Sequence, residues 1–388
     1  MHFNLASSIT KEEYDNNITD VVKLASKVFK RNKNWWAIDG GYGLIQIYLE
    51  FIGLDPKIYI PRFNCFHGFF PGMTDDWYRI SEARFKSLPA IFVPNIAVKE
   101  RVDKIFSHRK KSYIVAHPYH YILENYSSIL IDKRHGSVLF LPHSIGKNNT
   151  NTFSVEKILN YCLSLPSNYF PITACIHPND INNFDDHLFN KNGIKIITLG
   201  NRHDPKFLHR FFWLTHDKEF ALVFDISTHL LLSVLTGLLI KRIPYNIMYL
   251  LEINDGSNHR ECPEYIYWEL YETFYSEIID QNKLKKSVNK ITGYEYILNR
   301  TELSTLIKTF EAQFNKNIKP TNYFSLSYKT WNCIEFYIEF LYKIRISLGL
   351  RIANLRGQKS IVFGDLYINL INQKKENDKK NIKKTSTI

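Results

Sequence analysis

Short apolar runs closed by Pro, Gly or a polar cluster alternate, over the first two thirds of the chain, with longer stretches of helical periodicity. The runs KIYIPRF (57–63), AIFVPNI (90–96) and SYIVAHPY (112–119) read as buried strands of a parallel sheet, apolar on both faces and cut off by a polar break. NWWAIDGGYG (34–43) reads as a strand running into a Gly-rich turn, and LIQIYLEFIGL (44–54) as the helix after it. SVLFLPHSIG (137–146) repeats the strand pattern and opens a second set of units. A helix over 154–165 with Ser154 as its cap follows, then strand 170–180, strand GIKIITLG (193–200), helix KFLHRFFWLT (206–215), strand FALVFDIS (220–227) and helix THLLLSVLTGLLI (228–240). Such alternation predicts α/β units with right-handed crossovers around parallel sheets.

The character changes near residue 262. Residues 265–279, 301–314 and 328–356 read as helices, the second capped by Thr301, and the third aromatic and basic toward its end. That third helix fits either an interdomain core or a membrane surface. The pattern therefore divides the chain into an α/β domain over 1–136, a second over 137–261, a helical region over 262–372 and a basic tail over 373–388.

Composition narrows this picture. A chain of 388 residues exceeds one ordinary core, and 45% hydrophobic with 15% aromatic residues excludes general disorder. No apolar run reaches the roughly 18 to 20 residues needed to span a bilayer. The start, MHFNLASSITKEEYDNN, lacks a signal-peptide core, so the expected compartment is the cytoplasm. Five cysteines without CxxC spacing argue against zinc and against a disulfide scaffold. The net charge of +12 calls for an anionic partner, and KKENDKKNIKK (374–384) carries six lysines against two acids. That tail reads as a solvated segment or as a patch that meets anionic lipid on the inner face of the cytoplasmic membrane. No nucleic-acid-binding motif is present, and nucleic acid is not an expected partner.

Ligands of open α/β sheets bind beyond the carboxyl ends of the strands, and five such loops carry more polar chemistry than a turn requires. In 39–43, Asp39 stands beside three glycines, placed as a general base where the backbone can approach a ligand, or as a helix cap. His143 and Ser144 follow Pro142 and can bond a phosphate or a sugar hydroxyl. His177 is fixed by Pro178 at the end of its strand and suits an anion. Gly200 permits close approach, and Arg202 and His203 add positive charge suited to a diphosphate; alternatively Asp204 and Pro205 simply start a helix. Asp225, Ser227, Thr228 and His229 crowd the entrance of an apolar helix, whose free N–H groups make an anion site that the hydroxyls extend. A plain N-cap needs one such residue, not four. The P-loop and GxGxxG patterns are absent, as is a GxSxG elbow.

The order PHS (142–144), the strand ending in Cys175-Ile176-His177 with Asp180 downstream, GIKIITLGNRHDPKFLHRF (193–211) and DISTHLLLSVLTG (225–237) resembles bacterial surface-polysaccharide glycosyltransferases of the GT-B type. The His-Pro pair and the Ser-Thr before a helix are similar to two motifs of bacterial sialyl- and Kdo-transferases that hold the CMP phosphate, and IDGG is similar to the motif carrying their base. The resemblance implies two Rossmann-like domains in a GT-B-like arrangement with a helical C-terminal extension. It implies a nucleotide-sugar donor, possibly CMP-linked, held by the second domain, and a glycan or lipid-linked acceptor entering from the first. Asp39 is then the base, with His177, Ser227 and Thr228 stabilising the leaving phosphate and His143, Ser144, Pro178, Gly200, Arg202 and His229 completing the donor site. No cofactor and no metal are expected, since Asp75-Asp76 and Asp185-Asp186 lack DxD spacing. Ile38 stands where the motif has a second acidic residue, which opens the alternative of a non-catalytic glycan- or nucleotide-binding partner in a polysaccharide assembly complex.

Overall fold

The structure is a computed structural model. It describes residues 5, 8–18, 24, 42–55, 63–65, 90–105, 111–129, 133–141, 154–183, 186–201, 204–244 and 265–317. The chain divides into units 1–317 and 318–388, and the described residues all belong to the first. The strand expected before the Gly-rich turn, the helix expected over 328–356 and the basic tail lie outside the described residues.

The α/β class read from the sequence is the class of the structure. One sheet holds β1 (Phe63–Cys65), β2 (Ala90–Val93) and β3 (Lys111–Ile114) in that order, all parallel. Around it lie α2 (Leu44–Phe51), α3 (Ile96–Ile105) and α4 (Tyr119–Asn125), preceded in the chain by α1 (Lys11–Ile18). The second sheet contains β4 (Ser137–Phe140), β5 (Ile172–Cys175), β6 (Lys195–Ile197), β7 (Phe220–Val223) and β8 (Leu239–Arg242) in the order β6-β5-β4-β7-β8, again all parallel. Its crossovers are α5 (Val155–Leu163), α6 (Asp186–Lys191), α7 (Phe207–Thr215) and α8 (Thr228–Thr236).

Strand periodicity explains how this sheet is wound. Successive side chains point to opposite faces. On β4, Val138 and Phe140 join the cluster containing Phe211, Phe212, Leu230 and Leu231 from α7 and α8. Leu139 joins the opposite cluster, with Ile158, Leu159, Cys162 and Phe189 from α5 and α6. Both faces are covered, which is why these strands are apolar throughout. The first cluster continues into the other sheet through Phe63, Phe92, Tyr119 and Tyr121, so the two sheets share one core.

Three local readings are corrected. The apolar run expected to be helical through residue 240 stops at Thr236. Gly237 takes φ 92°, the Leu238 N–H returns to the Ser233 carbonyl at 3.0 Å, and the chain leaves as β8. The cap of α11 (Arg300–Asn317) is Asn299, not Thr301: its Oδ1 accepts from Glu302 N at 3.0 Å while the Glu302 carboxylate accepts from Asn299 N at 2.8 Å. Between α9 (Tyr265–Tyr275) and α11 runs α10 (Gln281–Thr292), which was not anticipated. Asp280 caps it through Asn282 N and Lys283 N, both at 3.0 Å, and Leu284, Val288 and Ile291 are its buried stripe. The end of α10 is tied to the first sheet: Asn95 Nδ2 donates to Ile291 O at 2.8 Å and His117 N to Thr292 O at 3.0 Å.

Candidate functional site

A parallel sheet places every carboxyl strand end on one edge. The loops after β6, β5, β4, β7 and β8 therefore line one rim, in that order. Winding reverses between β4 and β7, since α5 and α6 cover one face and α7 and α8 the other. This is the switch point at which open α/β sheets leave a crevice. The loop after β4 carries Pro142, His143 and Ser144, which lie outside the described residues. The loop after β7 carries the cluster from Asp225 to His229 and borders the switch point. With strands about 4.8 Å apart, the roots of the β5 and β7 loops are separated by about 10 Å. A ligand touching both His177 and Ser227 must span the loop after β4.

The polar cluster divides its labour. Ser227, extended at φ −147°, is the N-cap of α8, and its Oγ accepts from Leu230 N at 3.4 Å. His229 lies with its ring 4.9 Å from Phe140, nearly parallel at 13°, so it is held against the last residue of β4. Asp225 accepts from Ile226 N at 2.6 Å and from the hydroxyl of Tyr275 on α9. Thr228, half-buried in the first turn of α8, makes no side-chain hydrogen bond among the described residues. The N-terminus of α8 follows β7 and so lies beside the switch point.

Along the rim, His177 is half-buried, and its carbonyl accepts from Asp180 N at 3.0 Å as Pro178 opens a short 3-10 turn, Pro178–Asn183. Burial pushes the neighbouring Cys175 thiol up to about 12, which leaves it unreactive. At Gly200, the close approach expected for a ligand is taken by protein. A Cβ there would meet Leu24 Cγ at 3.0 Å and Arg210 Nη2 at 3.3 Å, with φ at +78°. Arg202 and His203 lie outside the described residues. Asp204 and Arg210, both buried, meet at 2.7 Å as an ion pair without hydrogen-bond alignment. Arg210 Nε also donates to Leu199 O at 2.7 Å, and Asp204 Oδ1 accepts from Lys206 N at 3.0 Å. Asp204 thus starts the turn into α7 and braces it.

Asp39, Gly40 and Gly41 lie outside the described residues. The two residues that follow them take left-handed backbone, Tyr42 at φ 64° and Gly43 at φ 69°. A Cβ on Gly43 would lie 2.7 Å from Pro205 Cα, and the Tyr42 ring is 4.8 Å from that of Phe207. Tyr42 and Gly43, just before α2, therefore dock on the loop after β6. Only glycine allows that approach at Gly43.

Sequence reasoning missed one feature of the rim. Arg242 at the end of β8 and Trp268, Tyr271, Glu272 and Tyr275 of α9 line an open cleft of about 280 Å³. The signal was present as the spacing 268, 271, 272, 275, one face of a helix. Among the described residues, no group of three or more His, Cys, Asp or Glu is placed to hold a metal ion, and no helix is long and apolar enough to cross a membrane.

No family model matches the chain, and no curated protein does. Among solved structures, it is similar to the wall teichoic acid polymerase TagF at 10% identity, covering 69% of this chain and 71% of that one, with a TM-score of 0.41. It is also similar to Anabaena HepE in complex with UDP-glucose, at 8% identity over 70% of this chain and 76% of that one, TM-score 0.30. A third similarity is to the Streptococcus pneumoniae accessory secretory protein 1, 2 and 3 structure, at 11% identity over 79% and 57%, TM-score 0.33.

Proposed function

We propose that this chain is a metal-independent glycosyltransferase of bacterial surface polysaccharide synthesis, moving a sugar from a nucleotide-sugar donor, CMP-linked in the first instance, to a glycan or lipid-linked acceptor. The observation that carries the reading is the switch point between β4 and β7, onto which the start of α8 opens; His143 and Ser144 follow β4 in the chain and are assigned to the same site from the sequence. An anionic leaving group there meets the positive end of α8 and the unengaged Thr228 hydroxyl. His177 reaches the same group from β5, and His229, held on Phe140, shapes the wall. Asp39 removes the acceptor proton as the acceptor oxygen attacks the anomeric carbon and the donor phosphate departs. The docking of residues 42 and 43 on the loop after β6 supports this assignment, because they follow Asp39 by three and four positions in the chain. The protein works in the cytoplasm, its basic tail held at the inner face of the membrane.

Thermal unfolding with CMP, UDP, GDP or dTDP tests the donor site. One of them, at about 100 times its Kd, stabilises the protein by about 2.7 kcal/mol. Thr228→Val, which keeps shape and removes the hydroxyl, weakens that effect. Asp39→Asn lowers sugar transfer by about 10² to 10⁴ while nucleotide stabilisation persists. Indifference to all four nucleotides sinks the donor site, and near-normal turnover of D39N removes Asp39 from the base role. The second reading, a non-catalytic glycan- or nucleotide-binding partner, is favoured by Ile38; it predicts nucleotide stabilisation with no transfer or donor hydrolysis.

A further inference from the structure

Helix α9 is aromatic on two faces, one fully buried and one that packs on the core only in part, through Tyr271 and Tyr275. Tyr267, Leu270 and Phe274 are fully buried. On the other face Trp268, 56% exposed, leads a stripe continued by Tyr271, Glu272 and Tyr275 at helical spacing. Large rings left at the surface around a concavity mark a binding site more often than a packing remnant. The stripe is held in place: Trp268 Nε1 donates to Glu272 Oε1 at 2.6 Å, and the Tyr271 and Tyr275 rings are 5.7 Å apart. Arg242 closes the far wall, its guanidinium 5.5 Å from the Tyr275 ring centre and 6.0 Å from that of Phe274. Among the described residues, one of its five N–H donors is engaged, by Ser276 O at 3.2 Å. The Tyr275 hydroxyl donates to Asp225, two residues before the Ser227 cap, so the cleft adjoins the donor crevice along the carboxyl rim.

We propose that this cleft is a glycan subsite, taking one hexose unit of the acceptor chain with its ring on Trp268 and its hydroxyls toward Arg242 and Glu272. The proposal rests on the transferase reading for its choice of a sugar. The chemistry of the walls agrees with that choice. Aromatic faces receive the C–H face of a pyranose ring. Adjacent hydroxyls each donate and accept, and a guanidinium beside a carboxylate answers both needs. Trp268 lines the cleft and is 56% exposed, so a polymer unit can reach its ring from solvent.

The test applies the full-length chain, its Trp268→Ala variant and its Trp268→Phe variant to an array of immobilised bacterial surface-glycan oligosaccharides, with nucleotide-dependent melting of the same three proteins alongside. The wild type binds at least one glycan, W268A binds it about tenfold more weakly, W268F stays within about threefold, and nucleotide stabilisation is equal in all three. A blank array with the wild type, or W268A binding as the wild type does, overturns the subsite. Loss of nucleotide stabilisation in W268A also overturns it and makes the occupant a nucleobase. If no nucleotide stabilises any of the three while W268A still loses the glycan, the donor reading fails and the subsite stands.

Discussion

At the scale of single residues, His209 shows how far burial governs chemistry in the shared core. It lies within α7, where every residue is buried, and its Nδ1 shares a hydrogen bond of 3.0 Å with the Tyr126 hydroxyl. Burial first, then the charges of Arg210 and Lys206, push it down to about 3. Burial pushes His120 down to about 4. Both native values lie below the ordinary 6.5, so between those limits the unfolded chain binds more protons than the folded one. Their contribution to stability is therefore level above pH 6.5 and falls as the pH drops from there toward 3. Each histidine contributes about 1.4 kcal/mol per pH unit within its window. His209→Phe keeps a ring against Tyr126 and removes one proton from the balance. Urea unfolding between pH 6 and 4 is expected to show its slope reduced by about that amount. Equal slopes mean His209 titrates alike in both states.

At the scale of elements, sequence pattern succeeded where burial repeats locally and failed where one residue overrides the repeat. The strands at 90–93, 137–140 and 172–175 were legible because both of their faces are covered, which demands continuous apolar runs. The rim was legible for the same reason: parallel strands put every strand-end loop on one edge. The break at Gly237 was not, because apolar residues continue on either side and the left-handed turn alone separates α8 from β8. Nor could the sequence show that Gly43 and Gly200 approach protein, since Pro205 against Gly43 and Leu24 against Gly200 are distant in the chain. The reading passed over α10, although an aspartate cap, a 284, 288, 291 stripe and Gly293 were all present. That helix carries weight beyond its own packing, for its last carbonyls accept from Asn95 and His117 of the other sheet. Asp280→Ala is expected to lower stability by about 1 kcal/mol in urea unfolding. An unchanged midpoint means water replaces the cap at no cost.

At the scale of the whole molecule, the two sheets are bound together by the segment around α1 and by α10. Trp213 Nε1 of α7 donates to Ile9 O at 2.8 Å, Tyr126 at the end of α4 accepts from Ile9 N at 3.1 Å, and Lys206 pairs with Glu13 of α1. Helix α8 packs on α10, and the Tyr119 hydroxyl of α4 meets Thr236 Oγ1 at 2.8 Å. The strap before and within α1 covers one side of α7, and α4 and α10 cover what α7 and α8 do not bury against their own sheet. A fragment of 137–261, the span that the sequence pattern marks as a second α/β domain, lacks all of these partners. It leaves Phe212, Trp213 and the outer residues of α8 in water, together with the amphipathic requirement of two helices for a second surface. Each large apolar side chain so exposed costs about 1.5 to 3 kcal/mol, and a handful equals the whole stability of a domain, about 5 to 15 kcal/mol. The fragment is therefore expected to show helical far-ultraviolet circular dichroism without a near-ultraviolet signal, and to be cleaved within α7 and α8 by trace protease, whereas 1–317 unfolds in one transition and resists. A folded, protease-resistant 137–261 fragment refutes the shared core and makes the second sheet a domain in its own right.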